Sequence, residues 1–162
     1  MERIKSFTID HMKLLPGVYV SREDSISPSE NSDGKKPDYP VTTYDIRITR
    51  PNFEPVMSTG EIHTIEHIGA TYLRNRDDRK SRVIYWGPMG CRTGFYLIMA
   101  GYIPVGDIVE LMKDTFEFTA NFEGEIPGAT PVECGNYSDM DLDAAKKRAA
   151  KYLEILKAHS WE

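Results

Sequence analysis

The pentapeptide His63-Thr64-Ile65-Glu66-His67 is the feature that most constrains what this chain can be. In a helix, residues four positions apart lie one turn apart on the same face, so both imidazoles can reach one metal ion. Glu66 shares that face. Two imidazoles beside a carboxylate suit a metal-dependent hydrolase or lyase, because the metal activates an oxygen while the carboxylate moves protons. The same residue order occurs in inverted zinc peptidases, so it indicates a metal site without selecting a reaction.

The sequence around the pentapeptide predicts a helix from Gly60 to Asn75. Ser58, followed three residues later by Glu61, fits a capping box at the start of that helix. A separate apolar stripe recurs at helical spacing and places the histidines beside the core rather than in it. The stripe consists of Ile62, Ile65, Tyr72 and Leu73.

Composition limits the class of protein. The 162 residues suit a single domain spanning 1–162, and a formal net charge of -5 argues against a nucleic-acid or anionic-membrane binder, so we expect a small-molecule substrate. Met1 to Leu15 lacks the apolar core of a secretory signal, and no apolar run is long enough to span a membrane, which predicts a cytoplasmic protein. In that compartment the two cysteines, Cys91 and Cys134, are expected to serve chemistry rather than a disulfide.

Hydrophobic patterning predicts an α+β domain in which helices pack on an antiparallel β-sheet, since strands and helices intermingle without a regular βαβ rhythm. A polar segment, Ser25 to Pro40, is predicted to be an exposed loop. In one strand Asp45 and Arg47 are predicted to share the polar face. The predicted strands are Val18–Ser21, Thr42–Thr49, Val83–Trp86 and Phe95–Ala100, and the further helices run from Pro104 to near Asn121 and from Asp139 to Ala158, the latter capped by Ser138.

A metal held by two histidines needs a third protein ligand, and Cys134 is the best candidate because its Gly/Pro-rich loop can bring a thiolate close. Two histidines and one cysteine leave one tetrahedral position open, which is typical of a catalytic site. The alternative is a structural zinc site closed by Cys91 or His11 as the fourth ligand.

Cys91 lies in the loop Pro88 to Gly94, between Gly90 and Arg92. Exposed backbone N–H groups and a guanidinium there are expected to lower the thiol pKa, so that the thiolate can act as a general base. The alternative is a small buried hydrophobic residue. Three further residues, Ser6, His11 and Arg47, are candidates for substrate binding, although a polar residue of each kind is also typical of a solvent-exposed position or of one that supports a site without touching substrate.

Three blocks of this sequence resemble the signature blocks of LuxS, the S-ribosylhomocysteine lyase family. They are His63 to His67, the run Gly87-Pro88-Met89-Gly90-Cys91-Arg92-Thr93-Gly94-Phe95-Tyr96, and Glu133-Cys134-Gly135-Asn136-Tyr137. Ser6 to His11 and Tyr44 to Arg47 are similar to the family's substrate-binding segments. The resemblance runs in order over nearly the whole chain, and the second block is far more specific than H-x-x-E-H.

The resemblance implies one divalent metal per subunit, held by His63, His67 and Cys134, natively Fe(II) and replaceable by zinc or cobalt. It implies cleavage of the thioether of S-ribosylhomocysteine to homocysteine and 4,5-dihydroxy-2,3-pentanedione, the precursor of the quorum-sensing signal autoinducer-2. The thioether has no acidic C–H beside it at first, so the carbonyl must migrate along the ribose before β-elimination. Glu66 and Cys91 are the implied proton-transfer residues.

By the same resemblance, Ser6, His11 and Arg47 bind substrate, and the enzyme is a homodimer with its sites at the subunit interface. One position departs from the family pattern: Tyr85 stands where an Asp is common, so a neutral phenol that can hydrogen-bond replaces a carboxylate there. Two other hypotheses stay open at this point. A metallopeptidase would use a downstream Glu as third ligand, and a non-catalytic zinc module would show four protein ligands.

Overall fold

The computed structural model describes residues 9–26 and 38–159 and shows the α+β architecture that the sequence predicts. Four antiparallel strands form one sheet in the spatial order β1-β2-β4-β3. The two central strands, β2 and β4, pair directly, with Asp45 opposite Tyr96. The strands are β1 (Gly17–Ile26), β2 (Tyr39–Arg47), β3 (Val83–Pro88) and β4 (Gly94–Ala100).

Three helices pack with this sheet and with one another. They are α1 (Thr59–Asn75), α2 (Val105–Ala120) and α3 (Leu142–Ala158), and short 3₁₀ turns occupy Lys80–Arg82 and Tyr137–Asp139. Helix α1 contacts strand β3 as well as α2 and α3. Within the described part of the chain, no helix combines the length and apolar character that a membrane span requires.

The core lies between the helices and one face of the sheet. Because side chains alternate along a strand, Phe95, Leu97 and Met99 of β4 all point to this face, and each is fully buried. Trp86 of β3 stacks on Phe95 with ring centroids 4.5 Å apart. The apolar stripes of the helices close the core from the other side, with Ile62, Ile65 and Leu73 from α1, Ile108, Met112 and Phe116 from α2, and Ala145, Ala149, Tyr152 and Leu156 from α3.

The opposite face of the sheet carries the polar residues of β2. Asp45 and Arg47 share this face, as predicted, but the exposed fractions of the two residues are only 3% and 2%. Their side chains form a two-pronged ion pair, Nε to Oδ1 at 3.1 Å and Nη2 to Oδ2 at 2.5 Å. A buried guanidinium is tolerated here because its donors are satisfied by a matching carboxylate.

Two predictions of local structure were wrong. Ser25 and Ile26 belong to β1 and pair with Pro40 and Tyr39 of β2, so both ends of the predicted Ser25 to Pro40 loop are strand. Backbone pairing with the neighbouring strand, which the polar composition does not reveal, outweighs local preference. The middle of that segment, residues 27–37, lies outside the described residues.

The predicted start of the last helix was also wrong. Ser138 does not cap it, because Tyr137–Asp139 forms a separate 3₁₀ turn and Met140 is extended. Asp141 is the N-cap instead, and its side chain accepts a hydrogen bond from the Ala144 N–H. This three-residue delay leaves Asp139 free to point toward α1.

Candidate metal centre and thiol pocket

Helix α1 places the two histidines of the H-x-x-E-H motif one turn apart. Its predicted capping box is confirmed: Ser58 Oγ accepts from the Glu61 N–H at 3.1 Å, and the Glu61 carboxylate accepts from the Ser58 N–H at 2.6 Å. The rings of His63 and His67 meet edge to face, with centroids 4.9 Å apart. Both rings are half-buried beside the apolar stripe, as predicted.

The loop between α2 and α3 brings Cys134 to these histidines. A turn in which the Cys134 N–H donates to the Thr130 carbonyl at 2.9 Å orients the thiol. Its Sγ lies 3.4 Å from Nε2 of His63, across 71 positions of sequence. One ligand atom from each of His63, His67 and Cys134 lies within 4.8 Å of the others. The three residues predicted to bind metal therefore converge.

Each imidazole is oriented by a hydrogen bond at its Nδ1 atom. His67 Nδ1 lies 2.7 Å from the Pro127 carbonyl oxygen, and His63 Nδ1 lies 2.8 Å from Asp139 Oδ1. A carbonyl oxygen can only accept, so Nδ1 of His67 carries the proton, and an ionised Asp139 fixes the same tautomer in His63. Both Nε2 atoms then keep their lone pairs for a metal, as they do where a hydrogen bond to the other ring nitrogen orients a metal-binding histidine.

The donor set fits a divalent transition metal. Two neutral imidazole nitrogens and one thiolate suit iron or zinc, and three protein ligands leave a coordination position for substrate. Among the described residues, no further His, Cys, Asp or Glu joins the cluster. Neither Cys91 nor His11 therefore closes it as a structural site, and the downstream Glu that a peptidase would use is not part of it.

Glu66 faces a cavity that also reaches His67. This cavity, of about 300 Å³, is lined on its other sides by Trp86, Pro127 and Gly128, among others. The Glu66 carboxylate makes no hydrogen bond or ion pair within the described residues. A carboxylate that has no hydrogen-bond or ion-pair partner and does not ligate the metal is available to accept and return protons.

Cys91 lies in the tight loop between β3 and β4, as predicted. The Arg92 N–H donates to the Met89 carbonyl at 2.9 Å, and Arg92 itself has a φ of 58°, a left-handed conformation uncommon for a residue with a side chain. This turn directs Thr93 back toward Cys91. The Thr93 carbonyl accepts from the N–H groups of Ile48 and Thr49, which fastens the loop to the end of β2.

The pKa of the Cys91 thiol lies below its ordinary value. Burial alone would raise the pKa, but hydrogen bonds from the side chain and backbone of Thr93 and the positive charge of Arg47 outweigh that effect. The predicted direction is confirmed. The guanidinium responsible belongs to Arg47, whose Nη1 lies 3.9 Å from Sγ, rather than to the adjacent Arg92.

Two of the three predicted substrate-binding residues adjoin this thiol. His11 and Arg47 line a cavity of about 320 Å³ together with Cys91 and Tyr96. The guanidinium of Arg47 is largely engaged with Asp45 and Thr93. Within residues 9–26 and 38–159, the one hydrogen bond of His11 joins its Nδ1 to the Ile9 carbonyl, at 2.9 Å. Ser6, the third candidate, lies outside the described residues.

Comparison with known proteins identifies the family. The S-ribosylhomocysteinase (LuxS) family matches residues 4–162, which include all three of the signature-like blocks. The chain belongs to the LuxS family.

Individual LuxS relatives are similar over almost their whole length. Proteins named S-ribosylhomocysteine lyase from Finegoldia magna and Clostridium beijerinckii are 53% and 54% identical to this chain. The alignments cover 96% and 94% of this chain and 92% and 90% of those proteins. A relative of the same name from Phocaeicola vulgatus is 52% identical over 98% of this chain and 92% of its own length.

Three contributors to the LuxS site escaped the sequence analysis. Asp139 and the Pro127 carbonyl orient the histidines, and Thr93 bonds the Cys91 thiol. A short-range signal existed only for Thr93, which stands two residues after Cys91 in the specific block. Asp139 was assigned to a helix, and a backbone carbonyl such as that of Pro127 has no sequence signature.

In this LuxS chain the Cys91 cavity and the group formed by His63, His67 and Cys134 lie on different faces of the sheet. Arg47 and Tyr96, which line the Cys91 cavity, alternate with the core residues Ile46, Phe95 and Leu97 and therefore point away from the helices. The histidines belong to α1, which packs against the core side of strand β3. The thiol cavity and the group formed by His63, His67 and Cys134 thus lie on separate surfaces of the chain.

Proposed function

We propose that this LuxS member is an S-ribosylhomocysteine lyase, a carbon–sulfur lyase that acts as a single catalytic domain spanning residues 1–162. It would convert S-ribosylhomocysteine to homocysteine and 4,5-dihydroxy-2,3-pentanedione, the autoinducer-2 precursor. The observation that carries the proposal is the convergence of His63, His67 and Cys134 beside the unpartnered Glu66, in a chain that shares half its residues with proteins of that name.

The cofactor we propose is one divalent metal per subunit, Fe(II) natively, with zinc or cobalt able to substitute. His63, His67 and Cys134 would hold it, because these residues present two nitrogens and one sulfur toward one point. When bound, the metal supplies a Lewis acid that polarises a carbonyl oxygen of the open-chain sugar. Asp139 and the Pro127 carbonyl keep both imidazoles in the ligating tautomer.

The protein's own catalytic contribution is proton transfer. The reaction consumes no oxidant and no water: the carbonyl moves along the sugar by proton shifts, and loss of the C4 proton then expels the homocysteine thiolate. The carboxylate of Glu66 and the thiolate of Cys91 are the two groups proposed to accept and return these protons. The lowered pKa of Cys91 supports its role, because a thiolate must be present near neutral pH to act as a base.

Substrate binding is proposed to involve Ser6, His11 and Arg47. His11 is the most available of the described pair, since its Nε2 has no partner among the described residues while it lines the thiol cavity. Arg47 is buried and engaged, so its contribution is the positive charge that it places beside the cavity. A small polar substrate agrees with the size of that cavity, about 320 Å³.

A homodimer in the cytoplasm is the proposed working form, with the two sites at the subunit interface. The support is geometric: within one protomer the Cys91 cavity and the metal cluster lie on separate surfaces, whereas the proposed reaction needs both groups on one substrate. A second copy of the chain would bring the thiol face of one protomer to the metal cluster of the other.

The deciding experiment measures release of free thiol from S-ribosylhomocysteine by protein reconstituted anaerobically with Fe(II) or Co(II). We expect homocysteine release that depends on metal and disappears after chelation. A folded, metal-loaded protein that releases no thiol would overturn the proposal. Attention would then turn to Tyr85, whose side chain lies beside Gly87 where the family commonly has an Asp.

A further inference from the structure

A chain of hydrogen bonds leads from the buried Asp45 to the exposed Cys91 thiol. Both carboxylate oxygens of Asp45 accept hydrogen bonds from Arg47, Oδ1 from Nε at 3.1 Å and Oδ2 from Nη2 at 2.5 Å. The remaining arm of the guanidinium, Nη1, donates to Thr93 Oγ1 at 2.5 Å. Thr93 Oγ1 in turn lies 3.1 Å from Cys91 Sγ. Asp45, Arg47 and Thr93 are each at most 4% exposed, so water is excluded from the contacts among them, whereas Cys91 itself is exposed.

The direction of the Thr93–Cys91 hydrogen bond follows from that of the Arg47–Thr93 hydrogen bond. A guanidinium has no acceptor, so Arg47 must donate, and the Thr93 oxygen must accept from it. Accepting from a cation polarises the hydroxyl, which makes its own hydrogen a stronger donor and its oxygen a weaker acceptor. The hydroxyl is therefore better suited to donate to a thiolate than to accept from a thiol. At 3.1 Å the hydroxyl is also closer to sulfur than Arg47 Nη1 is, at 3.9 Å.

We propose that Thr93 is a positioning residue that relays the charge of Arg47 to Cys91, with Asp45 fixing the guanidinium in place. This inference rests on the proposed function in one respect, the role of Cys91 as a base. Its physical content is independent of any substrate: the Thr93 hydroxyl holds Sγ in position and stabilises the thiolate form. The left-handed turn at Arg92, φ 58°, is what brings residue 93 back to residue 91.

Other ionisable groups face the same thiol and must be considered in any pH measurement. His11 comes from the N-terminal segment, Tyr96 from β4 and Glu54 from the loop before α1, and each lines one of the two cavities that border Cys91. Glu54 is engaged with the Arg50 N–H at 2.7 Å and Lys151 at 2.9 Å. A substitution at Thr93 leaves all of these groups in place. A change in the Cys91 titration can then be assigned to loss of the Thr93 hydroxyl.

The test measures the rate of Cys91 alkylation by iodoacetamide as a function of pH in the metal-loaded protein, with the modified peptide identified by mass spectrometry. Thr93→Val removes the hydroxyl and retains shape and backbone. We expect the midpoint of the rate profile to move up by about one pH unit, the shift expected for losing one hydrogen bond to a charged group. Thr93→Ser, which retains the hydroxyl, should return the midpoint close to the native value.

Thr49→Val is the matched control. Thr49 is also a fully buried threonine, two residues beyond the end of β2, yet its hydroxyl has no hydrogen-bond partner among the described residues. This variant should leave the midpoint unchanged. An unchanged midpoint in folded Thr93→Val protein, or a shift equally large in Thr49→Val, would overturn the relay and leave Arg47 acting on Cys91 through space alone.

The outcome is separable from that of the proposed function. The alkylation profile needs no S-ribosylhomocysteine, so a shifted midpoint would uphold the relay even if the wild-type protein released no homocysteine. If the wild-type protein is active in the lyase assay, the relay predicts a second result. The pH profile of kcat/KM in Thr93→Val should move in the same direction as the alkylation midpoint, with metal content unchanged.

Discussion

Nδ1 of His63 lies 2.8 Å from Oδ1 of Asp139, a residue 76 positions further along the chain. This contact joins helix α1 to the 3₁₀ turn that precedes α3. Asp139 does not belong to the ligand cluster, so its effect is exerted through the histidine. The carboxylate holds the ring in place with Nε2 directed toward His67 and Cys134.

Asp139→Ala should therefore weaken metal binding without abolishing it. Loss of the hydrogen-bond partner of a metal-binding histidine typically costs about 10–100-fold in metal affinity. Competition with a chromophoric chelator would measure this change in the purified protein. Asp143→Ala is the control, because Asp143 is an exposed acidic residue in the first turn of α3 that makes no contact with the histidines. Equal affinities in the two variants would contradict the role assigned to Asp139.

Gly128→Ala should disturb His67. The residue has a φ of 71°, and a Cβ built there would lie 3.1 Å from His67 Nδ1, the atom already bonded to the Pro127 carbonyl. The ring must shift, so we expect a several-fold loss of metal affinity together with a loss of about 1–2 kcal/mol from backbone strain. Gly124→Ala separates the two effects, since Gly124 has a φ of 100° and open space around its Cβ. It should lose stability and keep its affinity for metal.

Glu66→Gln should retain the metal and lose turnover. An amide cannot accept a proton as a carboxylate does, and general-base catalysis typically contributes about 10²–10⁴-fold. Metal content and kcat for thiol release would be measured on the same preparation. Glu154→Gln on the outer face of α3 serves as the control for carboxylate loss. Turnover of the Glu66 variant within tenfold of the wild type would remove this residue from the mechanism.

Mixed dimers distinguish a shared site from one contained in a single protomer. Cys91→Ala alone should bind metal without turnover, and Cys134→Ala alone should lose metal. When the two inactive chains are co-assembled, a site shared between subunits would recover one intact centre per heterodimer, because one chain supplies the metal cluster and the other supplies the thiol. Thiol release near half of the wild-type value per heterodimer is expected. Complete inactivity of a confirmed heterodimer would place both groups in one protomer.

Tyr152→Phe tests the tie between the last helix and the first strand. Tyr152 is fully buried in α3, and its hydroxyl donates to the Gly17 carbonyl at 2.8 Å. Removing the hydroxyl should lower the free energy of unfolding by about 0.5–1.5 kcal/mol, the usual net value of a hydrogen bond. Urea unfolding in a fixed metal state would measure this change. Tyr39→Phe, at an exposed tyrosine, should change stability little, and an equal effect there would contradict the assignment.

The sequence was sufficient wherever the determining interactions are local. Helix α1 begins within one residue of its predicted start, because the Ser58 and Glu61 capping box acts over three positions. The shared face of Asp45 and Arg47 followed from strand alternation, and the loop position of Cys91 followed from its glycines. The resemblance to LuxS, carried by contiguous blocks, was borne out by the family match.

Tertiary structure decided what depends on distant parts of the chain. Ser25 and Tyr39 are strand residues because β1 pairs with β2. Asp139 lies in a 3₁₀ turn that packs against α1, where it contacts His63 instead of starting a helix. The charge beside Cys91 comes from Arg47, 44 positions away, and not from its neighbour Arg92. Periodicity and capping report interactions within one or two turns of chain. The orientation of a ligand or the ionisation of a thiol is set by groups that only the packed fold brings into contact.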